Sequence, residues 1–501
     1  MTSHDAAWGF ADLHMHQFAN LAFGGKVLWG EPSGSPVEAL RPCREIHGPH
    51  GISDWVGNVG RVMFTGARWT ALLGHASGGY PDFRGWPTWD DFTHQAVHKQ
   101  FLKRAVDGGL RLVVVMALHN QVLCRVSRRS ATSCDDMDAV DLQIRAAYDM
   151  QAHIDADCDG PGEGWYRIVR SPAEAKDVIA RGKLAVVLGV EVDNVFSGHP
   201  GNQLTVAQLS ATVEKYYQAG VRHVIPLHFS DNAFGGAAFA LPLQWSANNR
   251  VLSAANPLSS LPVYRMRTEA RSNDGYRYRS GNCNARGLTP LGRQLITELM
   301  SRGMVIDVDH MSARTRADVL DIATAARYPV LAGHTEFLEV SRPELRSERQ
   351  LRQSEVQQIR ETGGAIAPLV RQSTVDVAGD DRGTAAGFMK AHRYVLAETG
   401  AEWAGFGSDF NGFAGLPRPG PVQLMYPFPA PLGGEPMERS VMGTRAFDIN
   451  HDGVAHIGML PDFLAQLSAA GLSSKEIAPL MRSALGYVGL WDRARSGTAA
   501  P

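Results

Sequence analysis

Apolar residues come in short, nearly unbroken runs along this chain, each followed by a stretch with helical spacing. The runs lie at 8–14, 111–118, 184–190, 221–227, 303–308, 328–332, 363–369 and 402–407. A run without polar alternation predicts a strand buried on both faces, as in a parallel sheet. Between the runs, 203–219 and 289–302 carry amphipathic periodicity, and 171–181 opens on Ser171-Pro172-Ala173-Glu174, a cap-like start. Residues 89–106 read as a further helix, with His94 and His98 four apart on one face. Eight strands alternating with helices predict an α/β fold, a (β/α)8 TIM barrel.

The chain has 501 residues, whereas such a barrel typically takes ~250. The surplus falls in four stretches, near 18–90, 120–165, 235–287 and 411–455. The first and last are rich in Gly and Pro, the second in polar turns, and the third has little periodicity. Each follows the C-terminal end of a run, where barrel enzymes build their active-site walls. The expectation is one domain over 1–501, with insertions forming a lid over the C-terminal mouth.

Hydrophobic residues make up 44% and charged residues 20%, the profile of a soluble globular protein. A net charge of -2 provides no global field for nucleic acid or an anionic membrane. No apolar run approaches the ~20 residues of a membrane span, and Met1-Thr2-Ser3-His4-Asp5 lacks the basic and apolar regions of a signal peptide. The cysteines at 43, 124, 134, 158 and 283 are odd in number and form no CxxC pair. On that ground neither a disulfide framework nor a cysteine zinc site is expected, and the cytoplasm is the expected compartment. The expected partner is a small molecule or short peptide, with no nucleic acid and no membrane; a homo-oligomer is compatible with this.

The candidate chemistry sits just past the runs. The first ends in Asp12-Leu13-His14-Met15-His16, the second in His119-Asn120, and the third in Glu191 within Gly189-Val190-Glu191-Val192-Asp193. The fourth ends in His228, the fifth in Asp309-His310, the sixth in His334, and the eighth in Asp409 within Gly407-Ser408-Asp409-Phe410-Asn411-Gly412. Side chains two apart on a strand share a face, so His14 and His16 converge. A single histidine at a strand end is usually structural. Imidazoles and carboxylates at the ends of five strands are instead what a two-metal hydrolase needs, to share and acidify a water and polarise a carbonyl. The remaining histidines carry no such pattern. His47, His50, His75, His153, His199, His392 and His456 read as structural, His94 and His98 as surface or lid residues, and His223 as lying at the far end of the barrel.

Together these motifs resemble the membrane (renal) dipeptidase family, a branch of the amidohydrolase superfamily of metal-dependent hydrolases. The likeness is clearest over 184–370 and 400–412. It rests on Gly189-Val190-Glu191, on Gly220 to His228, and on Gly287-Leu288-Thr289-Pro290-Leu291-Gly292-Arg293. Further support comes from Gly303 to Ser312, Pro329 to His334 and Gly407 to Gly412. The resemblance implies two divalent metal ions, most simply zinc. His14, His16, Glu191 and Asp409 would hold one, and Glu191, His310 and His334 the other. It also implies that His228 steadies the oxyanion, that Asp409 is catalytic, and that Arg346 or Arg342 binds a substrate carboxylate. The family shows His-x-Asp on its first strand where this chain has His-x-His, and Ser-His-Ser where this chain has Gly333-His334-Thr335. The expected activity is binuclear, metal-dependent cleavage of an amide or peptide bond by a metal-bridging hydroxide, dipeptidase-like. The alternatives are a lactonase or other ester hydrolase, and a mononuclear decarboxylase of the same superfamily.

Overall fold

A computed structural model describes residues 9–127, 131–200, 204–238, 266–268, 282–284, 286–379 and 381–497. The principal strands among these are β1 (Phe10–Met15), β2 (Leu110–His119), β3 (Tyr166–Ile168) and β4 (Leu184–Val192). They continue with β5 (Val221–Ile225), β6 (Val305–Ile306), β7 (Leu331–Thr335) and β8 (Ala365–Pro368). All pair in parallel. One curled sheet runs β1-β2-β4-β5-β6 with β3 beside β4, and β7 pairs with β8. Isolated parallel bridges continue the curl: Asp307 with Leu331, Leu369 with Gly407, and Asp12 with Phe406. The run at 402–407 forms no regular strand and takes part only through such bridges.

Alternation along the strands sorts the core. Ala11, Leu13, Leu112, Val114, Met116, Ala185 and Val187 pack together with Ile225, Val305 and Leu331 inside the curl. Tyr487, Leu490 and Trp491 of the C-terminal helix Ser483–Ser496 close one end of this cluster. The intervening residues, among them Val113, Val115, Val186, Leu188 and Val190, join the larger cluster under the surrounding helices. β2 and β4 carry apolar side chains on both faces because both faces are covered.

Helix starts follow their caps. Ser171 accepts from Glu174 N ahead of Pro172–Ala180, Thr289 from Gly292 N ahead of Pro290–Ser301, and Thr205 forms a capping box ahead of Val206–Gln218. The structure adds to these expectations or departs from them at three points. Residues 89–98 are not helical; the helix is Lys99–Asp107, with His98 as its cap, so His94 and His98 share no helical face. The stretch 120–165 is mostly ordered helix, dominated by Asp136–Ala156, whose buried Val140, Ile144 and Ala147 dock on the core. Its Asp135 cap accepts from Met137 N and Asp138 N, a start that the polar turn before it conceals. Finally, Cys124 and Cys134 form a disulfide with Cα atoms 5.6 Å apart. Cysteine count alone misses a short local loop of this kind.

The segments 18–90 and 411–455 pack on one another. Thr444 N donates to Pro81 O (2.9 Å), Leu416 N donates to Trp89 O (2.9 Å), and Phe83 meets Phe447. The expected insertion 235–287 lies largely outside the described residues. No helix among the described residues is long and apolar enough to cross a membrane.

Candidate metal centre

The C-terminal ends of the strands converge on Glu191. It follows Ala185, Val187 and Gly189 on the inward face of β4, so strand parity alone aims its carboxylate into the curl. A Cβ on Gly189 would stand 2.2 Å from the Met116 sulfur, which keeps that level of the interior free for Met116. Glu191 Oε2 lies 3.2 Å from His14 Nε2 and 3.2 Å from His16 Nε2. Its other oxygen, Oε1, lies 3.0 Å from His310 Nε2, 3.8 Å from His334 Nε2 and 3.9 Å from His228 Nε2. One carboxylate therefore faces two separate sets of imidazoles.

His14 lies within, and His16 just past, a shift of register between Asp12 and Met15, where β1 loosens from β2. Asp409 completes their side: its Oδ1 lies 2.9 Å from His16 Nε2 and 3.8 Å from His14 Nε2, and its Oδ2 accepts from Ala414 N (2.8 Å). Asp409 N donates to His14 O (2.9 Å), tying its loop to β1. Asp409, Asn411 and His310 all adopt left-handed backbone, with φ of 56°, 62° and 62°. Non-glycine residues hold this conformation at a cost, and such residues cluster at functional sites. A Cβ on Gly412 would fall 1.9 Å from Asp409 Oδ1, so only glycine leaves that carboxylate room. Asp12 buttresses the loop from below, accepting from Ser408 N (3.1 Å) and Ser408 Oγ (2.5 Å).

Electrostatics follow from this crowding. Burial alone would raise Glu191, but the His14 and His228 imidazoles and the bonds to His14 and His16 hold it well below the usual carboxylate range. Burial would lower His16, yet its contacts with Asp409 and Glu191 lift it to about 10. Burial and neighbouring His334 drop His14 to about 4. The surroundings orient the rings: His16 Nδ1 donates to Met116 O (3.1 Å), and His334 Nδ1 lies 3.2 Å from Asp309 Oδ2. His228 Nδ1 lies 3.6 Å from Asp193 Oδ1, a carboxylate that also accepts from Phe229 N (2.9 Å) and Asn120 Nδ2 (2.5 Å).

Six of the candidates, His14, His16, Glu191, His310, His334 and Asp409, thus meet at one place, with His228 beside them. His119 does not join them. Leu112, Val114 and Met116 face inward, so His119 faces out, where its Nδ1 accepts from Phe23 N (3.0 Å). His223 lies deeper in the curl, between Asp307 Oδ2 (3.1 Å) and the Tyr487 hydroxyl (3.1 Å). Arg342 and Arg346 do not line the cavity over the cluster. Arg342 pairs with Asp376 (3.3 Å), and Arg346 Nε donates to Ser341 O (3.4 Å). Among the described residues, the arginine lining that cavity is Arg349, alongside Phe64, Phe229, Thr335 and Phe413. Its charge is felt by His228 and His310, both of whose pKa values are lowered, first by burial. It follows Arg346 by three residues, so sequence distance from His334 could not separate the two.

Residues 268–419 match the profile of the family described as membrane dipeptidase (peptidase family M19). An uncharacterized dipeptidase of Schizosaccharomyces pombe is 26% identical over 248 residues, covering 49% of this chain and 46% of that protein. The chain thus spans about half the length of that relative. Among solved structures, a metallopeptidase from Rhodobacter sphaeroides liganded with a phosphinate mimic of L-Ala-D-Ala is 15% identical. It covers 78% of this chain and 89% of that one, with a TM-score of 0.46. The probable dipeptidase PvdM from Pseudomonas aeruginosa is 17% identical, covering 79% and 89%, with a TM-score of 0.48. The resemblance of this chain is therefore to the membrane dipeptidases of peptidase family M19, and the matched span contains His310, His334, Arg349 and Asp409.

Proposed function

We propose that this protein is a binuclear metal-dependent hydrolase of peptide bonds, acting on dipeptides or similarly small amides. The observation that carries the reading is Glu191, whose Oε2 faces His14 and His16 while Oε1 faces His310. The donor set fits divalent ions. His16 donates through Nδ1 and turns Nε2 to two carboxylate oxygens and another imidazole nitrogen within 3.2 Å, a place that a proton takes in the ion-free centre and that a cation would take over. His310 Nε2 and His334 Nε2 likewise stand 2.9 Å apart. Buried nitrogen and oxygen donors gathered this closely fit cations that would displace the protons between them. His14, His16, Glu191 and Asp409 would hold one ion, and Glu191, His310 and His334 the other. The nitrogen and oxygen donors suit zinc.

Such ions supply an acidified water and a Lewis acid for the scissile carbonyl. The chain's own residues do the rest. Asp409, kept ionised by His16 and His14 against the effect of burial, takes the proton of the attacking water and passes it to the leaving nitrogen. His228 donates to the developing oxyanion. Arg349 replaces Arg346 and Arg342 as the group that pairs with a substrate carboxylate. The proposed frame is a (β/α)8 barrel over the whole chain, in which the bridges at Phe406 and Gly407 complete the ring. The proposed lid is the packed pair 18–90 and 411–455, which brings Phe64 and Phe413 to the cavity. The Cys124–Cys134 disulfide gives the expected cytoplasmic placement no support, since such bonds persist in oxidising compartments.

A panel of dipeptides with L- and D-residues at the C-terminal position, assayed with and without a chelator, tests the reading. Hydrolysis that a chelator abolishes and zinc restores is the expected result. Metal-independent turnover, or none on any amide, overturns it.

A further inference from the structure

The segment 18–90 and the residues just after it bring four metal-type side chains together outside the mouth. Cys43, His47, His75 and His94 each place a donor atom within 4.8 Å of all the others. Cys43, His47 and His94 are buried. The three imidazoles stand at right angles to one another. The ring planes of His47 and His75 cross at 90°, those of His47 and His94 at 88°, and those of His75 and His94 at 88°.

Each ring is anchored by one nitrogen. His47 Nε2 lies 3.1 Å from Val27 O, His75 Nδ1 3.0 Å from Ala76 O, and His94 Nδ1 2.8 Å from Asp91 Oδ1. These are the outer partners that metal-binding histidines keep, and they fix the proton on that nitrogen. The other nitrogens of His47 and His94 are then bare. His47 Nδ1 and His94 Nε2 face each other at 3.2 Å. Two lone pairs cannot hydrogen-bond, but the spacing matches the ~3.3 Å that two Zn–N bonds of ~2.0–2.1 Å span at a tetrahedral angle. His75 Nε2 turns to the same place, where it pairs with Asp54 Oδ2 at 3.2 Å; an ion would take over that nitrogen from its proton.

We propose that Cys43, His47, His75 and His94 hold a third, structural divalent ion of the zinc class. Four protein donors leave no open position, which marks a structural site and not a catalytic one. Its place explains what it does. Asp54 beside it accepts from Gly57 N (2.9 Å) and Thr93 Oγ1 (2.6 Å), capping the helix Trp55–Thr65. That helix carries Phe64 to the cavity wall. The ion would tie Cys43 and His47, the loop at His75 and the extended segment at His94 into one support for this wall. The helix itself is half out of the core, with Trp55 and Met63 47% and 52% exposed, so apolar burial alone anchors it weakly.

The mouth offers only nitrogen and oxygen donors, so sulfur ligation separates this ion from the other two whether or not they bind. Crystals of protein purified without chelator should show zinc-edge anomalous density bonded to Cys43 Sγ and to three imidazole nitrogens. Protein produced with cobalt(II) in place of zinc should show a thiolate-to-cobalt charge-transfer band in the near ultraviolet. Cys43→Ser should abolish that band and lower the bound metal by about one ion per chain. If Cys43→Ser does not fold, the wild-type measurements decide. No density among the four side chains, together with no thiolate band at full cobalt loading, overturns the proposal.

Discussion

Oδ1 of Asp409 lies 2.9 Å from Nε2 of His16, across a join between the first strand and a loop almost four hundred residues later. The loop backbone at Asp409 is left-handed, with φ of 56°, a conformation that costs of order 1–3 kcal/mol. That cost is sustained by Asp409 N on His14 O and by the Asp12 carboxylate on Ser408. The geometry keeps one carboxylate oxygen on the imidazole and ties the other to a backbone amide, which suits a group that both binds and transfers a proton.

Asp409→Asn should therefore lower kcat on dipeptides by on the order of 10²-fold or more, the scale of a lost general base. Near wild-type turnover by this variant on amide substrates would remove Asp409 from the mechanism.

Glu191→Gln should cost the mouth at least one metal ion per chain. A carboxamide offers one acceptor where the carboxylate offers two oxygens, and those oxygens face His14 and His310 from opposite sides. Metal analysis of the purified variant checks this, and undiminished content at the mouth would refute the bridging role.

The raised His16 predicts how the ions bind. In the ion-free centre its folded pKa is about 10 against an ordinary 6.5, so it carries a proton at pH 7. In chelated protein this shift stabilises the fold fully below pH 6.5, and the contribution is lost as pH rises through about 10. Zinc must displace that proton, so affinity should rise roughly tenfold per pH unit through the neutral range. Titration calorimetry in buffers of different ionisation enthalpy should show about one proton released for this group; proton uptake would contradict the assignment.

Much of this site was legible in the sequence because strand parity and strand ends are local properties. Glu191 follows from the alternation of its own run, and His14 with His16 from their spacing. What escaped depended on partners distant in sequence. His119 lies at a strand end yet faces outward, since Met116 and not its odd-numbered neighbour points in. The run at 402–407 reads as a strand but makes only isolated bridges, because Asp409 and Asn411 bend away just beyond it. His94 looked exposed on an expected helix; it lies instead in an extended, buried segment beside Trp29. Cys43 and His47 are four apart, a weak hint of a chelate, but His75 and His94 join them only through the folding of the whole segment.

The C-terminal helix should matter to stability and not to metal binding. Trp491 is completely buried against the interior cluster that includes Ala11, Leu112 and Ala185. Trp491→Ala should cost about 3–5 kcal/mol, the range for emptying a large aromatic site. Denaturant unfolding measures the loss; metal content at the mouth should stay unchanged, and coincident loss of metal would show that the two ends of the curl are coupled.

Arg349 sets the last expectation, substrate polarity. Among the described residues it is the arginine that reaches the cavity, while Arg342 is engaged with Asp376 and Arg346 with Ser341 O. A paired guanidinium contact is the strongest neutral-pH recognition a protein offers a carboxylate. A charged hydrogen-bond pair contributes about 1.5–3 kcal/mol, so Arg349→Ala should raise KM for free dipeptides by about 10-fold to 100-fold with little change in kcat. The C-terminally amidated dipeptide lacks the charge and should be cleaved by variant and wild type with similar KM. Arg346→Ala serves as the control and should leave both substrates unaffected. Equal effects of Arg349→Ala on the acid and the amide would mean that the residue tunes His228 and His310 through the field and does not hold the substrate.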